Sequence, residues 1–163
     1  MKEEFENLIN VLQEYGKAVQ EVYKQNLTND GAKASGELIN SVKYIYEQKG
    51  NSYSISLSLA EYWKYVEYGR RAGRKFPPPS AIRKWIEVKP ILPRPMSNGK
   101  LPTINQLTYL ISRKIARDGI EPRNILKNTL EEINREYDEK ISEALTLDLS
   151  NSLDEVFALL VRR

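Results

Sequence analysis

The 163-residue chain has room for one hydrophobic core of useful size, and its 40% hydrophobic and 29% charged residues are ordinary for a globular protein. It contains neither cysteine nor histidine, which excludes disulfides, thiolate nucleophiles and cysteine-ligated metals and removes the commonest general base, so neither catalysis nor a cofactor is expected. The net charge of +3 is unevenly spread: residues 1–69 carry 7 basic and 10 acidic side chains (−3), residues 70–100 carry 9 and 1 (+8), and residues 101–163 carry 9 and 11 (−2).

No apolar run approaches the roughly 20 residues of a membrane span, and the acidic start MKEEFENL is unlike a signal peptide. Folding in a cytoplasm, with no membrane partner, is expected. From Lys2 to about Leu27, Phe5, Leu8, Ile9, Leu12, Tyr15, Val19, Val22 and Tyr23 recur at steps of three and four, the pattern of an amphipathic core helix. Thr28-Asn29-Asp30-Gly31 ends it. From Leu38 the period changes to two. Val42, Tyr44 and Tyr46, then Tyr53, Ile55, Leu57 and Leu59, alternate with polar residues around Lys49-Gly50-Asn51, which predicts a β-hairpin over about 38–59 with its apolar face on the first helix. Ser54, Ser56 and Ser58 read as a solvated strand face.

The stretch EYWKYVEYGRRAGRKFPPPS, residues 61–80, concentrates aromatic and basic side chains beside three prolines. Tyr62, Trp63, Tyr65 and Val66 fit a short helix stopped by Gly69. Arg70, Arg71, Arg74 and Lys75 then surround Gly73 in a loop, and Phe76-Pro77-Pro78-Pro79 must be extended because each proline restricts the residue before it. Ser80 is the expected N-cap of a helix carrying Ile82, Trp85 and Ile86. Lys89 to Lys100, with Pro90, Pro93, Arg94 and Pro95, reads as a long exposed excursion. Thr103 and Gln106 form a capping box for a helix with Ile104, Leu107, Leu110, Ile111 and Ile115 on one face, closed at Asp118-Gly119. Pro122 marks the first turn of a final helix whose stripe runs through Ile125, Leu126, Leu130, Ile133, Tyr137, Ile141 and Leu145. Beyond it, Leu153, Val156, Phe157 and Leu160 suit either a continuation or a separate helix after Ser150-Asn151.

No glycine-rich phosphate cradle is present. The carboxylates at Glu131, Glu132 and Glu136 to Glu139 lie mainly off the apolar stripe and read as surface charge, such as Glu131 with Arg135, rather than as a metal site. Glu67 reads as a helix-surface acid paired with Arg70 or Arg71; a general acid, or a hydrolase metal site shared with the late carboxylates, is the weaker alternative. The +8 segment, with Trp63, Tyr65, Tyr68 and Phe76 interleaved, suits either phosphates and stacked bases or a protein interface.

Several motifs, in order, resemble the phage neck and tail-completion family, small proteins that join head to tail and are similar in fold to some minor tail proteins. These are Ser35-Gly36-Glu37-Leu38-Ile39-Asn40-Ser41 at the first strand, Tyr62-Trp63-Lys64-Tyr65-Val66-Glu67-Tyr68-Gly69 after the hairpin, the proline-rich segment and helix of Phe76 to Ile86, and the helical stretch of residues 107–133. The resemblance spans roughly residues 1–145.

It implies an α+β fold, a small twisted antiparallel sheet packed by a long N-terminal and a long C-terminal helix. The expected organisation is one domain over 1–163, with 70–102 as a basic proline-rich arm or insertion and 146–163 as a helical extension. The implied function is that of a non-enzymatic virion protein, made in the host cytoplasm, that assembles as a homo-oligomeric ring at the head-to-tail junction against portal, adaptor and tail proteins. Contact with packaged DNA is the alternative use of the loop over 62–76. The expected interface residues are Trp63, Tyr65, Glu67, Tyr68, Arg70, Arg71, Arg74, Lys75, Phe76, Pro77, Pro78, Pro79 and Arg94.

Overall fold

The computed structural model describes residues 5–31, 36–50, 52–89, 91–97 and 99–161. In chain order the elements are α1 (Glu6–Asn29), α2 (Glu37–Ser41), β1 (Lys43–Lys49), β2 (Ser52–Ser58), α3 (Trp63–Glu67), α4 (Pro79–Val88), α5 (Ile104–Asp118) and α6 (Ile125–Val161). The fold is α+β, with a two-stranded antiparallel sheet packed on the long first and last helices and smaller helices between. The chain divides into two compact units. One is built from the described residues of Met1–Asn26, Val42–Ser58 and Leu126–Arg163, the other from those of Leu27–Ser41 and Leu59–Ile125.

The first unit holds the sheet. Tyr44 pairs with Leu57 and Tyr46 with Ile55, so these half-buried side chains share one face while Ser52, Ser54, Ser56 and Ser58 are exposed on the other. The strand seats closely on α1 because Gly16 has no side chain: a Cβ there would lie 2.8 Å from the Tyr44 ring and 3.3 Å from Ile55. Val19, Ile133 and Tyr137 form the buried centre, surrounded by Val11, Tyr15, Ala18, Val22, Leu57, Leu130 and Ile141. The Tyr15 and Tyr137 rings meet edge to face at 5.6 Å, and the Tyr15 hydroxyl donates to Asn134 at 2.8 Å. Burial, then the nearby Asp138 carboxylate, holds the Tyr15 phenol above its ordinary pKa.

Polar groups fix the register of the two helices. Asn26 of α1 donates to the buried Thr129 hydroxyl of α6 at 2.9 Å, while the Gln20 side-chain oxygen ties β1 to α1 by accepting the Tyr44 amide at 3.0 Å. At the other end Asp148, only 6% exposed, accepts from the backbone amides of Asn7 and Leu8 at 3.3 and 2.8 Å and from the Asn7 side chain at 2.7 Å. The first amides of α1 have no carbonyl partner within their own helix, and a carboxylate from α6 takes them.

In the second unit, Thr103 caps α5 reciprocally with Gln106 as the capping box requires, and Gly119 ends the helix. Leu38, Ile82 and Ala116 are among its buried apolar residues.

Several boundaries differ from the expectation. The first helix runs from Glu6 to Asn29; its expected start at Lys2 lies outside the described residues. Residues 38–41 are helical rather than the opening of the hairpin, since a single turn buries Leu38 and lets the Ser41 hydroxyl donate to the Leu38 carbonyl while accepting the Ala60 amide. Ser35, the start of the first motif, lies outside the described residues. Helix α4 begins two residues early in sequence terms: Pro79 occupies its first turn, where a missing N–H costs nothing, so Ser80 is inside the helix and not its cap. The last helix starts at Ile125 instead of Pro122, because Asn124 takes the left-handed conformation at φ +53°. It then continues unbroken for 37 residues through Ser150-Asn151.

Replacing Asp148 by alanine leaves two α1 amides without an acceptor and is expected to lower stability by roughly 1–3 kcal/mol, with Asp148→Asn losing less. Chemical denaturation of the two variants beside the parent chain measures both.

Candidate functional site

At five residues, α3 is too short to be stable alone. Its last carbonyls are taken by a neighbouring segment: the Arg123 amide donates to Val66 and the Asn124 amide to Glu67, both at 3.2 Å. Glu67 itself is 2% exposed and therefore not the surface acid expected from its arginine neighbours. It belongs to the interior.

After α3 the chain makes a close backbone crossing. Gly69, at φ +62°, and Gly119, at φ +82°, stand at the start of two segments that pair through Arg70 and Ile120, each amide donating to the other's carbonyl at 2.8 Å. A Cβ on Gly69 would lie 2.2 Å from the Ile120 carbonyl oxygen, and one on Gly119 would lie 2.4 Å from that of Arg70. Only glycine fits at either place. Gly73 then donates to the Ala116 carbonyl at 2.7 Å, filling one of the acceptors that the C-terminus of α5 leaves open. The basic loop is thus tied at both the Arg70 and Gly73 positions and lies at the negative end of the α5 dipole, where cations are favoured.

Between these ties is an open depression of about 560 Å³ lined by Tyr68, Gly69, Arg70, Arg71, Arg74 and Lys75. The Arg70 guanidinium is held by one donation from Nη2 to the Lys75 carbonyl, while its Nη1 is buried and has no hydrogen-bond partner among the described residues. Arg71, Arg74 and Lys75 are exposed, and the Tyr68 ring, 67% exposed, leans on Trp63 at 5.7 Å between centroids. Among the described residues, no acid lines the depression. The arrangement suits an anionic group: a guanidinium held by the Lys75 carbonyl, exposed cations around it, and an aromatic wall.

Of the expected interface residues, Tyr68, Arg70, Arg71, Arg74 and Lys75 are therefore brought together. Trp63 supports Tyr68, whereas Tyr65 is 55% exposed and Glu67 is buried. Phe76 packs edge-on against Tyr109 of α5 at 5.9 Å, which directs the extended Pro77 and Pro78 into α4 at Pro79. Arg94 is exposed in the irregular segment after α4 and is not part of the depression's lining. The residues that sequence reasoning missed are Gly119, Ile120 and Ala116, whose backbone holds the loop; an Asp-Gly pair signals a helix end but not what crosses it. Among the described residues, no group of three or more His, Cys, Asp or Glu side chains is placed to hold a metal ion. The acids of α6 instead make exposed pairs, Lys127 with Glu131 and Lys140 with Glu136. Comparison with protein-family models, with curated proteins and with solved structures found no match.

Two glycine substitutions separate crossing from loop. Gly69→Ala should cost roughly 2–4 kcal/mol, from overlap with the Ile120 carbonyl added to an unfavourable φ, whereas Gly73→Ala, with nothing within 4 Å of its Cβ, should cost about 1 kcal/mol from φ alone. Urea titrations of the two variants give the difference.

Proposed function

We propose that this chain is a structural protein of a tailed-phage particle, acting at the head-to-tail junction by forming a homo-oligomeric ring and docking portal, adaptor or tail proteins through the basic loop and the proline segment after it. The order of motifs along residues 35–133 supports the phage assignment. The observation that carries the docking role is the gathering of exposed Arg71, Arg74 and Lys75 with Arg70 and Tyr68 around one depression. Like charges held this close repel one another, and carboxylates from a neighbouring subunit would relieve the repulsion.

The loop is also economical to dock. It is already tied at Arg70 and at Gly73 by hydrogen bonds with Ile120 and Ala116, and Phe76 to Pro79 is stiff, so less conformational freedom is lost on binding than from an untied loop. A subunit that offers such a loop to a different, acidic patch on its neighbour makes a heterologous contact, the kind that closes into a ring with rotational symmetry. Exposed Tyr68 beside the same cations favours one further reading, contact with DNA through phosphates and a stacked base.

Quantitative peptide counting on purified particles from the host that expresses this chain tests the assignment. A fixed, ring-like ratio to the portal protein is expected, and absence from particles would overturn it. Within the docking role, Arg71 and Arg74 are the residues to reverse, since Arg70 holds the loop through the Lys75 carbonyl. Arg71→Glu with Arg74→Glu should leave the unfolding transition nearly unchanged and reduce incorporation into particles at least tenfold. If the loop instead binds DNA, the same pair of changes should lower the slope of log affinity against log salt by about 2, as expected for two lost phosphate contacts.

A further inference from the structure

The second half of α6 carries an apolar stripe that the fold does not use. Leu145, Leu149, Leu153, Val156 and Leu160 follow one another at steps of four, four, three and four, with Phe157 beside them, and all are exposed, from 39% at Leu145 to 62% at Leu160. The stripe is not an extension of the row that faces α1. That row runs through Tyr137, Ile141, Ala144 and Asp148 and continues as the polar Ser152 and Glu155, about a third of a turn away around the helix. Past Asp148, where α1 begins, the helix extends to Val161 with this face bare. A contiguous exposed apolar face of this size is unfavourable in water and marks a surface that something covers.

We infer that a second copy of this chain covers it, the two α6 ends packing antiparallel about a two-fold axis at Leu153. The residues outside the described set hold one large apolar side chain ahead of α6, Met1, and so offer no apolar stripe of their own. The flanks of the stripe, Thr146, Ser150 and Ser152, are uncharged, so a second copy meets no repulsion there while a charged partner finds nothing to pair with. The spacing reads nearly alike from both ends. An antiparallel pair centred on Leu153 sets Leu149 level with Phe157 and Leu145 near Leu160, and it opposes the helix dipoles, which a parallel pair would align. Six large apolar side chains, each about half exposed, offer on the order of 600 Å² per copy, at the low end of specific interfaces and typical of reversible association. This pairing is independent of the head-to-tail reading, since it uses α6 and not the basic loop.

The absence of cysteine makes a direct test available. The 163-residue chain should sediment as a reversible dimer at tens of micromolar, and Leu153→Lys, a change at an exposed position, should weaken the dimer at least tenfold with the unfolding transition unchanged. Under mild oxidation, Leu153→Cys alone should form a covalent dimer. Leu145→Cys alone and Leu160→Cys alone should not, while a mixture of those two should cross-link to each other. A wild-type chain that stays monomeric at these concentrations overturns the proposal, as does equal self-cross-linking at all three positions, the signature of a parallel bundle. A dimer untouched by Leu153→Lys would place the interface elsewhere and overturn it equally.

Discussion

Backbone meets backbone at Gly69 and Gly119, and the geometry of the basic loop follows from how close they come. With carbonyl oxygens 2.2 and 2.4 Å from where a Cβ would stand, no side chain can intervene, and the paired amides of Arg70 and Ile120 hold the contact at 2.8 Å. From that point, residues of 120–124 reach the orphaned carbonyls of α3, and Gly73 reaches the end of α5. A loop of four cations would otherwise spread to separate its charges. Tied at two backbone positions and placed at a helix C-terminus, it presents them together around one depression.

The first unit relies on a different kind of closure. Asp148 takes amides from residues about 140 positions earlier in the chain, so the N-terminus of α1 is completed only when α6 is in place. Gly16 lets the sheet approach, Asn26 and Thr129 set the register, and the buried row of Val19, Ile133 and Tyr137 fills the space between. Burial and polar satisfaction point to the same alignment of the two helices, the agreement across levels that makes one packing preferable to its slipped neighbours.

Much of this was legible in the sequence where the signal is local. The period of three to four identified α1, α5 and α6, the alternation around Gly50 identified the hairpin and its inward-facing tyrosines, and the capping box at Thr103 with Gly119 placed both ends of α5. The gathering of Arg70, Arg71, Arg74 and Lys75 could be suspected from their nearness in the chain. What escaped depends on partners distant in sequence. Glu67 looks like a surface acid because arginines follow it, yet its burial is decided by residues near 120 that pack over α3. The Leu38 to Val42 alternation mimics a strand because two residues per period over so short a span cannot be told from a helical turn. Asp148 is one acid among several in α6, and only the tertiary fold makes it a cap.

The two-stranded sheet leaves each strand with an outer edge, and the edges are unequally defended. Along β1, Lys43, Glu47 and Lys49 carry charge, and the Gln20 side chain occupies the Tyr44 amide, so an approaching strand meets both repulsion and a missing donor. Along β2 the outward residues are serines, uncharged and small, and among the described residues it has no strand neighbour other than β1. By this comparison β2 is the less defended of the two strands, and a lysine in place of Ser54 or Ser56 would give it the gatekeeper charge that β1 already carries.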